Sequence, residues 1–194
     1  MDSPSLIISI CIGIGLSAAT GFRVFLPPLV VGLLSRVGFI DLGESWIWLS
    51  DDASLLVLVS AALIESFAYF LPWLDNLLDV IMSPMAIVSG IVLSAAFLDG
   101  INPGFQWALS IIAGVSLSGG VQASTVFLRG LSTASTAGIL NPMFSIAENS
   151  ISLFLTLTAL FFPLIAIVVL VLLLIVIRKI IRKLLDKKRK QVIY

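Results

Sequence analysis

Histidine is absent from this 194-residue sequence, and cysteine occurs once, at Cys11. The first absence removes the commonest metal ligand and the commonest general base. The second excludes an intrachain disulfide and a thiolate metal cluster. Cys11 lies in an apolar stretch and reads as a packing residue. Charge is scarce too, at 11% of residues, where soluble domains carry roughly 25%. Only Arg23, Arg36 and Arg129 are basic before the tail, and the other eight basic residues cluster between Arg178 and Lys190. No segment is polar enough to form a separate soluble domain, so any activity lies in or at a membrane.

What is present is hydrophobic. Apolar residues make up 59% of the chain and the mean hydropathy is +1.17, which is the composition of an integral membrane protein. The opening MDSPSLIISI has no positive region and no small-residue cleavage site after its apolar core. It is therefore expected to be kept as a membrane helix.

A helix needs about 20 apolar residues to cross the hydrocarbon core. Six segments qualify: Ser5 to Leu26, extending brokenly to Leu34; Ala53 to Leu71; Ile81 to Leu98; Phe105 to Leu128; Met143 to Leu160; and Pro163 to Ile181. The last two are separable only at Pro163, because 149–177 carries no charge. Proline opens a helix well and sits badly inside one, so six spans are preferred to five. The expected fold is all-α: a polytopic bundle with a broken or re-entrant segment after the first helix. Residues 1–177 form one membrane domain with halves 5–98 and 105–177, and 178–194 form a basic tail. With the tail cytoplasmic, six crossings place the N-terminus on the cytoplasmic side as well. Trp46, Trp48, Trp73 and Trp107 fall near the span ends, where interfacial aromatics belong.

The halves resemble one another. GIGLSAATGFRVFL (Gly13 to Leu26) aligns with GVSLSGGVQASTVFL (Gly114 to Leu128) across one gap. Each leads to breakers, then to a helix with one acid, Glu65 or Glu148, then to a final helix. Three spans per copy invert the second in the membrane. That inverted three-plus-three plan is common in transporters, whose sites lie between the repeats.

The candidate binding residues are the charges within the spans: Arg23, Glu65, Arg129 and Glu148. An ionised group at the bilayer centre costs about 2.5–3.5 kcal/mol on insertion scales. Such groups must pair, face the bundle interior or escape to the interface. For each there is a plainer reading. Arg23 snorkels to the surface, Glu65 makes a structural pair, Glu148 favours the first turns of its helix, and Arg129 marks a span end. Gly21, Pro27 and Pro28 mark a break beside Arg23, and Asn141 and Pro142 mark one before Glu148. Asp75, Asp79 and Asp99 read as boundary residues. Arg178, Lys179, Arg182 and Lys183 are placed to meet anionic lipid headgroups. GIGLSAATG follows no strand and lacks the Lys-Ser/Thr of a phosphate loop, so nucleotide binding is rejected. No cofactor, metal or nucleic-acid partner is expected.

GLSAATGFRVFLPPLVVGL, LIESFAYFLPWLDNLLD and NPMFSIAENSI resemble the bacterial membrane proteins grouped as domain-of-unknown-function family 4126. The resemblance rests on Gly21, Arg23, Phe25 and Pro27, on Glu65, and on Asn141, Pro142 and Glu148. Arg129 fits the family pattern less well, because the family carries more basic residues there. The resemblance implies a bacterial inner-membrane location and no activity. Two functions are carried forward. One is a transporter or lipid-translocating protein for an anionic substrate, with a homodimer enclosing a larger path. The other is a scaffold or assembly factor whose buried charges are structural. An enzyme is not expected, since no base accompanies Ser17 or Ser118.

Overall fold

The computed structural model describes residues 3–68, 72–136 and 139–193, and the side chains at 3–4, 68, 72–77 and 185–193 fall outside the description. The expected end of the second span at Leu71, and the side chains of Trp73, of Asp75 and of the far end of the basic tail, therefore lie outside the description. Among the described residues all regular structure is helical. The helices are α1 (Ser3–Phe22), α2 (Leu26–Arg36), α3 (Asp52–Ala68), α4 (Pro72–Phe97), α5 (Pro103–Ala113), α6 (Gly119–Thr136), α7 (Asn141–Phe161) and α8 (Pro163–Ile193). A 3-10 turn, Glu44–Ser50, precedes α3, and a π-helical turn, Gly114–Ser118, joins α5 to α6.

Five segments are long and apolar enough to cross a bilayer, and α3 with its preceding turn, bent by 56°, makes a sixth. α7 and α8 part at Phe162, with Pro163 opening α8. Six segments are thus favoured over five, for the reason the proline implied. Two connections are shorter than expected. PWLDNLLD is the first part of α4, and RGLSTAST continues α6 to Thr136. Both stretches keep helical spacing, and polarity alone had marked them as loops.

α1 is the central helix and packs against α4, α7 and α8. It runs antiparallel to α4: the Ser17 hydroxyl donates to the Gly90 carbonyl at 2.8 Å, and Gly13 lies against Ser94. It is also antiparallel to α7, because Gly15 meets Ala159 while the Ala19 carbonyl accepts from the Ser152 hydroxyl. These contacts need small residues. A Cβ on Gly21 would lie 2.6 Å from the Val121 side chain and 2.7 Å from the Ser118 carbonyl oxygen. Gly21 was expected to break the helix. It lies instead inside the last turn of α1, and its missing side chain lets α6 approach.

The chain reverses at Arg23 to Phe25. α2 then runs back beside α3, with Gly32 against Leu49 and Leu55. The following loop reaches the end of the bundle where α1 starts: Gly43 abuts Asp99, and Trp46 packs on Trp107 with ring centroids 6.4 Å apart. α2 is a short return segment of 11 residues, about 16 Å long. α1 begins at one end of the bundle and α8 finishes at the other.

The same reversal alters the repeat. The aligned stretches in α1 and α5–α6 run in the same direction: Ile10 and Ile14 share a cavity with Leu109 and Leu117, and Thr20 reaches Ser118. The segments that run oppositely are α2, α3 and α4 against α5–α6, α7 and α8.

Candidate functional site

The site begins with the break after α1. Pro27 and Pro28 fall in the first turn of α2, where a missing N–H is tolerated. Upstream donors remain, and Glu65 takes two of them. Its Oε1 accepts from the Val24 N–H at 2.8 Å and its Oε2 from the Phe25 N–H at 3.1 Å. A carboxylate at a helix N-terminus also meets the positive end of the helix dipole. Glu65 is thus the cap of the return helix, supplied by the neighbouring α3. The Val24 carbonyl is held from α4 by the Ser89 hydroxyl at 2.9 Å.

With its neighbours pinned, Arg23 turns inward. It is 1% exposed, so the snorkelling alternative does not hold. Its Nη2 donates to the Ser145 carbonyl at 2.9 Å and the Ser145 hydroxyl at 2.8 Å, and lies 3.2 Å from Glu148 Oε2. Glu148 is shared: its Oε1 lies 3.5 Å from Arg129 Nε. Arg129 in turn places Nη2 2.8 Å from Asp79 Oδ1. Arg23, Glu148 and Arg129 therefore meet in one chain of ion pairs that ends on Asp79, and Glu65 stands beside it on the amides of Val24 and Phe25.

Two expectations need correction and one is extended. Glu148 is not in the first turn of its helix; it lies about two turns in and is buried. Arg129 is not a span-end marker, because α6 continues past it and it is 1% exposed. Asp79 lies at the start of the apolar span Leu78–Phe97, as expected of a boundary residue, and is in addition a buried partner of Arg129. The signal for it was available: Asp75 and Asp79 are one helical turn apart in a stretch that keeps helical spacing. Ser145 had no distinguishing signal. Asn141 and Pro142 open α7, as their breaker character required, and the Asn141 side-chain amide donates to the Thr133 hydroxyl at 2.9 Å.

Each buried charge reaches a group of opposite sign or a backbone dipole from a different helix, which is what a low-dielectric interior demands. A polar seam continues from the cluster along α1. The Thr20 and Ser118 hydroxyls lie 2.7 Å apart, and both also reach the Ser17 carbonyl. Ser118 is the last residue of the π-helical turn, a deviation often found at functional sites. Arg178, Lys179, Arg182 and Lys183 are exposed on α8, at the end of the bundle nearer the charge cluster.

These features define a class: a polytopic helical membrane bundle with a capped return segment and a buried arginine–carboxylate network. The chain belongs to the family described as Domain of unknown function (DUF4126), whose model matches residues 10–183. No curated protein and no solved structure matches it.

Proposed function

We propose that this protein is a small membrane transporter, or lipid-translocating protein, for an anionic substrate bearing a carboxylate or phosphate. One observation carries the reading. Two guanidinium groups are buried about two turns from the tail-side ends of α4 and α7, next to a backbone break, with carboxylates from other helices as their partners. Anionic substrate oxygens would replace those carboxylates on the arginines, whose planar donors suit such groups. Burial of charge at this depth is expensive and is usually retained for function.

In this reading the basic tail faces the cytoplasm of a bacterial inner membrane and contacts anionic headgroups. α1 then starts on the opposite face, and a homodimer encloses the path. The scaffold reading is favoured by a different observation: the charged side chains pair with one another, as a purely structural network would.

Flux in proteoliposomes separates the two. Arg23→Lys and Arg129→Lys, which keep the charge and remove the planar donors, are expected to lose transport of a fluorescent anionic lipid or an organic anion while melting close to the parent protein. Flux equal to the parent in both variants, or loss of folded protein together with flux in both, overturns the transport reading.

A further inference from the structure

Charge does not balance around the break. Glu65, Asp79 and Glu148 are 2%, 8% and 5% exposed, and the buried cations beside them are Arg23 and Arg129. Three carboxylates thus face two guanidinium groups. Arg36 does not make up the difference, because it pairs with Asp52 at the far end of α2. Asp75 is a further acid, and histidine is absent. The remaining basic residues lie from Arg178 onward, where the described ones are exposed. An uncompensated charge in a low-dielectric interior is neutralised by taking up a proton. The ion pairs decide which acid does so. Glu148 meets both arginines, at 3.2 and 3.5 Å, and Asp79 meets Arg129 at 2.8 Å. Glu65 is in none of the ion pairs among the described residues and is held instead by the amides of Val24 and Phe25. A helix N-terminus supplies about half an elementary charge, so about half of the Glu65 charge is left without compensation.

We propose that Glu65 is a proton-binding site, and that proton uptake there loosens the attachment of α2 and α3 to the rest of the bundle. One proton from the aqueous phase adds to the carboxylate and gives a neutral carboxylic acid. One acceptor oxygen becomes a hydroxyl. The longer contact, from the Phe25 N–H at 3.1 Å, is the one expected to open. Attraction to the positive end of α2 is lost at the same time. The cap is therefore complete while Glu65 is ionised and weakens as pH falls. The rest of α3 is lightly anchored. Among its described side chains the buried apolar ones are Leu55 and Ala62. The Ser66 hydroxyl adds a long bond, accepting from the Asn149 side-chain amide at 3.3 Å. An apolar crevice of about 290 Å³, lined by Phe25, Pro28 and Leu58 on one side and by α4 on the other, leaves the pair room to shift. The charged groups around Glu65 are Arg23 at the end of α1, Asp79 on α4, Arg129 on α6 and Glu148 on α7, and α2 carries none before Arg36. An incoming anion adds negative charge to a cluster that is already acidic, so in the transport reading a proton accompanies it. That coupling rests on the transport reading, whereas the proton site rests on the charge count and the cap.

The test uses the full chain in phosphatidylcholine vesicles. Infrared spectra taken from alkaline to mildly acid buffer are expected to gain the band of a buried protonated carboxyl group, and Glu65→Gln is expected to lack it. The glutamates of the chain are Glu44, Glu65 and Glu148, and Glu44 is exposed. Isotopic labelling of glutamate at its carboxyl carbon should therefore shift that band in the unaltered protein, a readout that does not need the variant to fold. Over the same range, hydrogen exchange at the Phe25 amide, corrected for its intrinsic pH dependence, is expected to lose about tenfold in protection, the effect of one hydrogen bond. In Glu65→Gln that protection should be low and independent of pH. Absence of the band, its survival in Glu65→Gln, or its failure to move with the label overturns the proton site. A band that titrates while Phe25 stays protected overturns the loosening. Neither readout involves flux, so the two readings fail separately. Titration without flux refutes transport and leaves the proton site, and flux indifferent to a pH gradient refutes the coupling.

Discussion

Removing the Glu65 carboxylate tests the cap directly. In the native structure its two oxygens satisfy the backbone N–H groups of Val24 and Phe25, and the residue is 2% exposed. Glu65→Ala leaves both donors without that acceptor. Each buried unsatisfied donor costs about 1–3 kcal/mol, so the gross loss is about 2–6 kcal/mol. Eliminating the cost of burying a carboxylate offsets part of this, which leaves a net loss of about 1–4 kcal/mol. Glu65→Gln keeps one acceptor oxygen and sets its amide against the other N–H, so it is expected to lose about half as much. The measurement is reversible unfolding in mixed micelles, with hydrogen exchange at the two amides as a local readout. Glu44→Ala, an exposed loop acid, is the control and should change stability by less than about 0.5 kcal/mol. If Glu65→Ala matches that control and the Val24 and Phe25 amides stay protected, Glu65 is not the cap.

Two further outcomes are expected. Topology reporters placed before α1 and after α8 should read opposite sides of the membrane, and reporters on the same side would refute α2 as a full return. Gly21→Ala should destabilise the protein by about 1–3 kcal/mol through overpacking, because the Ser118 carbonyl that its Cβ would meet is backbone and cannot rotate away. An unchanged unfolding midpoint would show that α1 and α6 do not approach closely there.

Some of this was legible in the residues. Composition determined that the chain belongs in a bilayer, because 59% apolar residues cannot be hidden inside a chain of this size. Pro163 separated α7 from α8, and Pro27 and Pro28 located the break, because proline acts on its own backbone and on its immediate neighbours. The rarity of charge within the spans marked Arg23, Glu65, Arg129 and Glu148, since intramembrane charge is costly wherever it lies.

Partnership was not legible. The sequence marked one Arg and one Glu in each half without saying which would pair, and the fold joins Arg23 to Glu148 of the other half and gives Glu65 to backbone donors. Asp79 was marked as a span boundary, and only the packing of α4 placed it level with Arg129. The reversal at Val24 was equally hidden. An 11-residue apolar segment after two prolines can run onward or turn back, and only packing against α3 and the cap from Glu65 decide which. Local chemistry determined where the chain breaks and which charges need partners. The tertiary structure decided which groups meet at one depth, because that depends on helix direction and packing between residues far apart in the chain.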